Sequence, residues 1–323
     1  MKPILYKLVC VVTIGKLQFK EVAKVQIKSS WKELTDTCEI ELPKNSRLKG
    51  KPVSEYIQRD DKVLVQLGYN NELKTEFTGF VRRVESDIPL KVFCDDYAFL
   101  LKWHKPKNKL FSSVKLDDVV NHITEGIEGI KVSVLDDVNL GKFIVENTST
   151  SKVLEVIRQS YGLVSFFKGD TLFVGFPYRN ESPVKNAYVY DFQNNIVPGH
   201  SLKYRKTNTV KMKIKAISSL NNGKKLTTEV GQDGGSIVTR NFPHMNQSEL
   251  EKLAKEELKK YKYKGFAGEL TAWGQPFVSH GDSVVLTDSE FPDRRGKYFV
   301  DAVGVTFTSS TFRRRVSIGQ KIG

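Results

Sequence analysis

Apolar and polar residues alternate with the period of a half-buried strand over much of this chain. Residues 4–12 (ILYKLVCVV) read as a first strand, closed by a turn at Gly15 and Lys16. Residues 19–27 alternate next, and residues 38–42 (CEIEL) alternate again before Pro43 stops them. Residues 53–57 (VSEYI) predict a short helical turn. The alternation then returns in three strands, residues 61–67 (DKVLVQL), 77–84 (FTGFVRRV) and 91–94 (KVFC). The same order recurs near the other end, at residues 282–288 (DSVVLTD), 296–303 (GKYFVDAV) and 313–318 (RRRVSI). Identity between the two stretches is poor. Yet turn, strand, loop, strand, loop and strand follow in one order, over 23 positions from Asp61 to Val84 and 21 from Asp282 to Val303. A repeat of β-units at the two ends of one chain points to quasi-symmetric assembly rather than to a fold built around one catalytic pocket.

Between these ends the period changes. Leu116, Val119, Val120 and Ile123 fall at helical spacing, as do Val153, Leu154, Ile157 and Tyr161. Ser149, Thr150 and Ser151 stand at the entrance of the second helix, where a hydroxyl caps the orphan N–H groups of a first turn, and Gly162 stops that helix. Residues 163–167 (LVSFF) and 171–174 (TLFV) flank Lys168, Gly169 and Asp170 as a tight hairpin. Residues 210–215 (VKMKIK) then predict a strand with Lys211, Lys213 and Lys215 on one side. A turn follows at residues 221–223 (NNG) and a loop at 232–235 (QDGG). Ser248 and Glu251 form a capping box for a helix to about Tyr263, with Leu250, Leu253, Ala254, Leu258 and Tyr261 as its apolar stripe and Gly265 after it. A strand over residues 266–272 leads into the second repeat unit. The predicted fold class is mainly β with an α+β insertion: β-domains at 1–105 and 199–323, the latter with one helix, flank a small α+β domain at 106–198.

Composition narrows the chemistry. Of 323 residues 39% are hydrophobic, and no apolar run approaches the ~20 residues of a spanning helix. The apolar run at residues 8–12 is short and lacks a small-residue cleavage site, so it reads as a strand and not as a signal peptide. An export route without a cleaved signal stays open. Cys10, Cys38 and Cys94 have no metal-type spacing and read as buried thiols of a reducing compartment. His104, His122, His200, His244 and His280 form no ligand pair. In the run from His280 to Asp282, Gly281 makes a turn and Asp282 caps it. The adjacent carboxylates Asp95/Asp96, Asp117/Asp118 and Asp136/Asp137 do not face each other as acid-base pairs do. No nucleophile elbow and no phosphate-binding loop is present. Hence no catalytic residue, cofactor or metal ligand is assigned.

The net charge is +14 (51 basic, 37 acidic residues). Its clusters are Lys203/Arg205/Lys206, Lys211/Lys213/Lys215, Arg294/Arg295 and Arg313/Arg314/Arg315. They suit either a groove that tracks phosphates or basic surfaces that meet solvent and neighbouring subunits. The second is the simpler reading.

The last stretch carries a resemblance. Residues 280–286 (HGDSVVL), 296–300 (GKYFV), Val303 and 312–319 (FRRRVSIG) match the pattern G-D-x-V, G-x-Y-x-V-x-x-V, R-x-x-x-x-x-G of the baseplate hub family of contractile phage tails. That family includes late control protein D of phages and the hub half of type VI secretion spike proteins. Residues 153–157 (VLEVI), 161–163 (YGL) and 169–174 (GDTLFV) resemble its middle domain. The resemblance implies two tube-type β-barrel domains flanking the α+β domain, and a non-enzymatic homotrimer. Its pseudo-sixfold ring would join a trimeric spike to a hexameric tail tube. The implied partners are a tail tube protein, a separate spike (no spike domain follows Gly323), baseplate wedge components, and DNA or protein cargo passing the ring, with no membrane insertion. The implied location is a virion tail, baseplate or injection apparatus, made in the bacterial cytoplasm without a signal peptide. The expected ring contacts are the strand edges over residues 210–215, 266–272 and 298–303. The assembly residues are then Val210, Lys211, Lys213, Lys215, Phe266, Ala272, Tyr298, Val303, Arg313 and Arg315. The rival readings are a single-stranded nucleic-acid-binding protein with OB-like barrels and a cell-wall or sugar hydrolase.

Overall fold

A computed structural model describes residues 7–43, 47–70, 72–86, 88–176, 188–199, 201–206, 211–219, 224–243, 245–262 and 264–322. Residues 4–6 of the first expected strand, Val210, the turn at 221–223, His200, His244 and Tyr263 lie outside the described residues. The first part holds β1 (Leu8–Ile14), β2 (Leu17–Phe19), β3 (Lys24–Ser30), β4 (Thr37–Leu42), β5 (Arg47–Leu48), β6 (Lys51–Pro52), β7 (Lys62–Tyr69), β8 (Glu72–Glu85) and β9 (Leu90–Asp95). The expected helical turn is a 3-10 turn at Val53–Tyr56. The middle holds α1 (Ala98–Trp103), β10 (Lys109–Lys115), α2 (Leu116–Thr124), β11 (Lys131–Val134), β12 (Asn139–Val145), α3 (Thr150–Tyr161), β13 (Val164–Lys168) and β14 (Thr171–Gly175). The last part holds β15 (Tyr188–Asp191), β16 (Lys203–Arg205), β17 (Met212–Ser219), β18 (Lys225–Gly231), β19 (Ser236–Pro243), α4 (Gln247–Tyr261), β20 (Gly265–Trp273), β21 (Ser283–Thr287), β22 (Gly296–Thr308) and β23 (Phe312–Lys321).

The fold is mainly β, with 52% of the described residues in strands. One 13-stranded sheet takes strands from both ends of the chain, in the order β16-β20-β23-β22-β3-β4-β9-β8-β7-β1-β2, with β21 on β22 and β15 on β21. Its inward positions make one apolar core, in which Val12, Ile40 and Val65 of the first part join Leu270, Val305 and Val316 of the last. Strict alternation is what allows this: β4 buries Cys38, Ile40 and Leu42 and leaves Thr37, Glu39 and Glu41 half-exposed. The middle segment has its own core, where Leu116, Val120 and Ile123 of α2 meet Leu154 of α3 and Leu172 of β14. A third, small core sets Leu250 and Ala254 of α4 on Ile214 and Ala216 of β17, in the sheet β18-β17-β19. Among the described residues, no helix is long and apolar enough to cross a membrane.

Three local expectations are corrected. The strand expected over residues 19–27 is broken, because β2 ends at Phe19 and β3 starts at Lys24. Between them the Cys10 thiol donates to the Lys20 carbonyl, and Val22 turns inward to 6% exposure. The capping box is Asn246 and Glu249, not Ser248 and Glu251: Glu249 N donates to Asn246 Oδ1 at 2.9 Å and Asn246 N to Glu249 Oε2 at 3.1 Å. Leu250 and Ala254, four apart, share one face of the helix and pack on β17, as the expected stripe had them. Ser149 does stand at the entrance of α3, but its hydroxyl meets Ser151 Oγ at 3.0 Å and caps no backbone N–H. Gly162 closes α3 as expected, at φ +68°.

Candidate functional site

The internal repeat is present in space and is larger than the alternation alone indicates. Strands β3-β4-β9-β8-β7 and strands β16-β20-β23-β22-β21 follow one another in the same lateral order. Equivalent atoms make the same bonds. Gln58 N donates to Asp61 Oδ2 at 2.8 Å in the first unit, and Ser279 N to Asp282 Oδ2 at 2.8 Å in the second. Asp60 N bonds Val81 O and Val81 N bonds Asp61 O, just as Gly281 N bonds Val300 O and Val300 N bonds Asp282 O. Asp60 and Gly281 share a left-handed backbone, at φ +74° and +76°. A bulge follows at once in both, between Val81 and Arg83 and between Val300 and Ala302. Asp282 is therefore a turn cap, as its sequence context predicted.

The two units meet at one seam, where β3 pairs antiparallel with β22 over seven residue pairs from Ala302↔Ser30 to Thr308↔Lys24. Asp301, the bulge residue, is 7% exposed and closes the seam's end. It accepts from Trp31 Nε1 at 3.0 Å and from Lys32 Nζ at 2.6 Å. Across the core Arg314, 1% exposed, reaches Glu76 of β8 and the carbonyls of Gly274 and Val278. Burial pushes the Glu76 carboxyl up, and the Arg314 charge draws it back.

Between the middle segment and this seam lies a cleft of about 410 Å³ that titratable side chains cross. His280 Nε2 lies 3.3 Å from Asp36 Oδ2 and its ring meets Phe166 edge-on. Lys168 of the hairpin pairs with Asp282 at 3.1 Å. Asp96, 5% exposed, accepts from Ala98 N, and burial and the nearby Asp36 push its carboxyl well up. Carboxylates do converge here, which their sequence positions did not foretell. Asp36, Asp282 and Glu76 are each held by a partner within the chain, while Asp96 accepts from Ala98 N through Oδ1 alone and its Oδ2 is buried without a hydrogen bond among the described residues. Contacts across the cleft knit three segments together.

The expected assembly residues divide. Phe266, Ala272, Tyr298 and Val303 are at most 4% exposed and belong to the chain's own core. Strand β20 is flanked by β16 and β23, and β22 by β23 on one side and β21 and β3 on the other. Among the described residues, free edges lie elsewhere, among them the outer edge of β16 and residues 83–85 of β8. Arg313 and Arg315 sit on the polar face of the sheet, Arg313 over the Trp273 ring at 4.0 Å and Arg315 beside Glu269 at 3.0 Å. Lys213 is bridged to Glu229 and Asp233. Lys215 follows on β17, and Lys211 precedes the strand. With Lys213 matched by two carboxylates, this row is a poor phosphate track. Cys38 and Cys94 are opposite one another on β4 and β9, and burial pushes both thiols up, so they are inert core groups. Arg314 was concealed in a basic triple. Its position midway between inward Phe312 and Val316 was the signal for its burial.

No family model and no curated protein matches this chain. Solved structures do. The tail protein from Neisseria meningitidis MC58 superposes with TM-score 0.66 at 16% identity, covering 97% of each chain. The 43 kDa tail protein of prophage MuSo2 from Shewanella oneidensis gives TM-score 0.66 at 13% identity, over 97% of this chain and 98% of that one. A component of the type VI secretion system of E. coli, structurally similar to T4 bacteriophage tail proteins gp27 and gp5, gives 0.59 at 8% identity, over 96% of this chain and 76% of that one. The chain thus shares the fold of phage tail proteins and of a type VI secretion component.

Proposed function

We propose that this chain is a non-enzymatic hub of the late control protein D type, in a phage tail or a related injection apparatus. Three copies close into a pseudo-sixfold ring that joins a trimeric spike to a hexameric tail tube. Its domains are two tube-type units at 1–105 and 199–323 around the segment 106–198. Its partners are the tube protein, a trimeric spike, wedge components of the baseplate, and DNA or protein cargo in the ring.

The observation that carries this reading is the five-strand unit that occurs twice, down to the Asp61 and Asp282 turn bonds. Two like surfaces per chain let a threefold object dock onto a sixfold one. The fold shared with tail proteins supports the same reading. Light scattering with negative-stain imaging tests it. A particle of three chains, 3 × 36.7 = about 110 kDa, with a central hole is the expected result. A compact monomer at every concentration, and still after addition of a trimeric spike, counts against it.

A further inference from the structure

The chain already contains one edge-to-edge junction between its units, β3 on β22. In the second unit β16 stands where β3 stands in the first, and β8 stands where β22 stands. Among the described residues, the outer edge of β16 and the β7-side edge of β8 over residues 83–85 have no backbone partner. Both edges are three residues long. We propose that these two edges join one copy of this chain to the next, antiparallel, in the register that β3 and β22 use. This rests on the ring reading above and names its seam.

The register follows from pairings on the page. Cys94 faces Val81 and Cys38, while Ile318 faces Val300 and Gly268, so Cys38 corresponds to Gly268. One step on, Thr37 corresponds to Ala267, and their partners Lys28 and Lys203 correspond to each other. Lys28 faces Gly304 across the seam, and Gly304 corresponds to Glu85 through their partners Arg315 and Lys91. Lys203 of one copy therefore faces Glu85 of the next. The same steps set Tyr204 opposite Val84 and Arg205 opposite Arg83.

Two features not used in that derivation agree with it. Tyr204 and Val84 are both half-buried against the apolar core, whereas Lys203 is on the exposed side, so the two pleats match. Lys203 and Glu85 have opposite charge. Arg205 would meet a like charge in Arg83, but Glu85 lies 2.9 Å from Arg83 and offsets it.

The test uses the full chain. The native thiols are buried, so a Glu85→Cys/Lys203→Cys pair would be the reactive one, and directly opposite strand positions lie within disulfide reach. Mild oxidation should give covalent oligomers that stop at three chains, with none from either single variant. Glu85→Lys or Lys203→Glu alone should raise the concentration for half-assembly roughly tenfold over three seams, and the double exchange should restore it. A trimer by mass with no covalent bond and no charge dependence overturns the seam and leaves the ring reading standing. Covalent chains that run past three support the seam and overturn the closed trimer. Monomer throughout, with no bond at any concentration and with a trimeric spike present, overturns both and marks these charges as guards of bare edges.

Discussion

The first and second β-units share strand order, turn bonds and bulge, and they differ where the second unit has work inside the chain. At the bulge the first unit carries Arg82, 3.4 Å from Asp95 and half-exposed. The second carries Asp301, which turns to Trp31 and Lys32 and fixes the seam. The residue opposite differs to match: Gly319 stands where Asp95 stands, and a Cβ there would fall 2.1 Å from Asp301 Oδ1. Likewise Leu90 of β9 corresponds to Arg314 of β23, a buried cation that reaches back to Glu76 of the first unit. The backbone is duplicated by a few turn atoms. The side chains that broke the symmetry are those that bind one unit to the other.

The largest break should come from Arg314→Leu, which strands Glu76 and two carbonyls in the core. A loss of about 3–5 kcal/mol in denaturant unfolding is expected. Adding Glu76→Leu should recover most of it, short of the share owed to the Gly274 and Val278 carbonyls. The bulge pair sharpens the contrast. Asp301→Ala should cost about 2–3 kcal/mol, because it removes two bonds at the seam's buried end. Arg82→Ala should cost under about 1 kcal/mol, since the Arg82 end of the pair is solvent-exposed and buried Asp95 keeps Lys102 at 2.8 Å. Equal costs for the two would refute the special role of Asp301. The turn caps come next. Asp61→Ala should cost about 1 kcal/mol and Asp282→Ala about 2 kcal/mol, the excess being the Lys168 contact. Repeating the measurement in Lys168→Met should close that gap.

Much of this was legible along the chain, for a physical reason. The sheet has one buried face, so period-two alternation marks β4 and β7 within a residue or two of their ends and finds β22 and β23, though it stops short of their last residues. Gly162 and the Lys168–Thr171 hairpin were legible because left-handed turns need particular residues. Lateral order was not. Alternation says which side of a strand is buried and is silent on its neighbour, so Phe266, Ala272, Tyr298 and Val303 were taken for free edges when both sides of their strands are largely occupied. The pairing of β3 with β22 joins residues more than 270 positions apart, as with Ser29 and Val303, and no local pattern encodes that. The capping box was ambiguous because Asn246…Glu249 and Ser248…Glu251 both satisfy the spacing, and the reciprocal bonds form on the Asn246 pair.

The smallest expected effect concerns Asp96, two positions beyond Cys94. Counted along the strand from Ile318, the second unit has the neutral amide of Gln320 at the corresponding place. Asp96 is buried and sits beside Asp36, and both conditions raise its carboxyl above the ordinary range. A carboxyl raised on folding contributes stability in full below its unfolded pKa, and that contribution is lost as pH rises through the folded value. At neutral pH the unfolded carboxyl is ionised while folding drives Asp96 toward its neutral form, a cost that the second unit avoids. Asp96→Asn keeps an oxygen for the Ala98 N–H, 3.0 Å away, and removes the charge. The variant should melt above the wild type at neutral pH, and the gap should close in acid below the usual carboxylate range. A gap that stays constant from acid to neutral pH would mean that Asp96 stabilises or destabilises through packing alone, and that the two units do not differ in charge at this position.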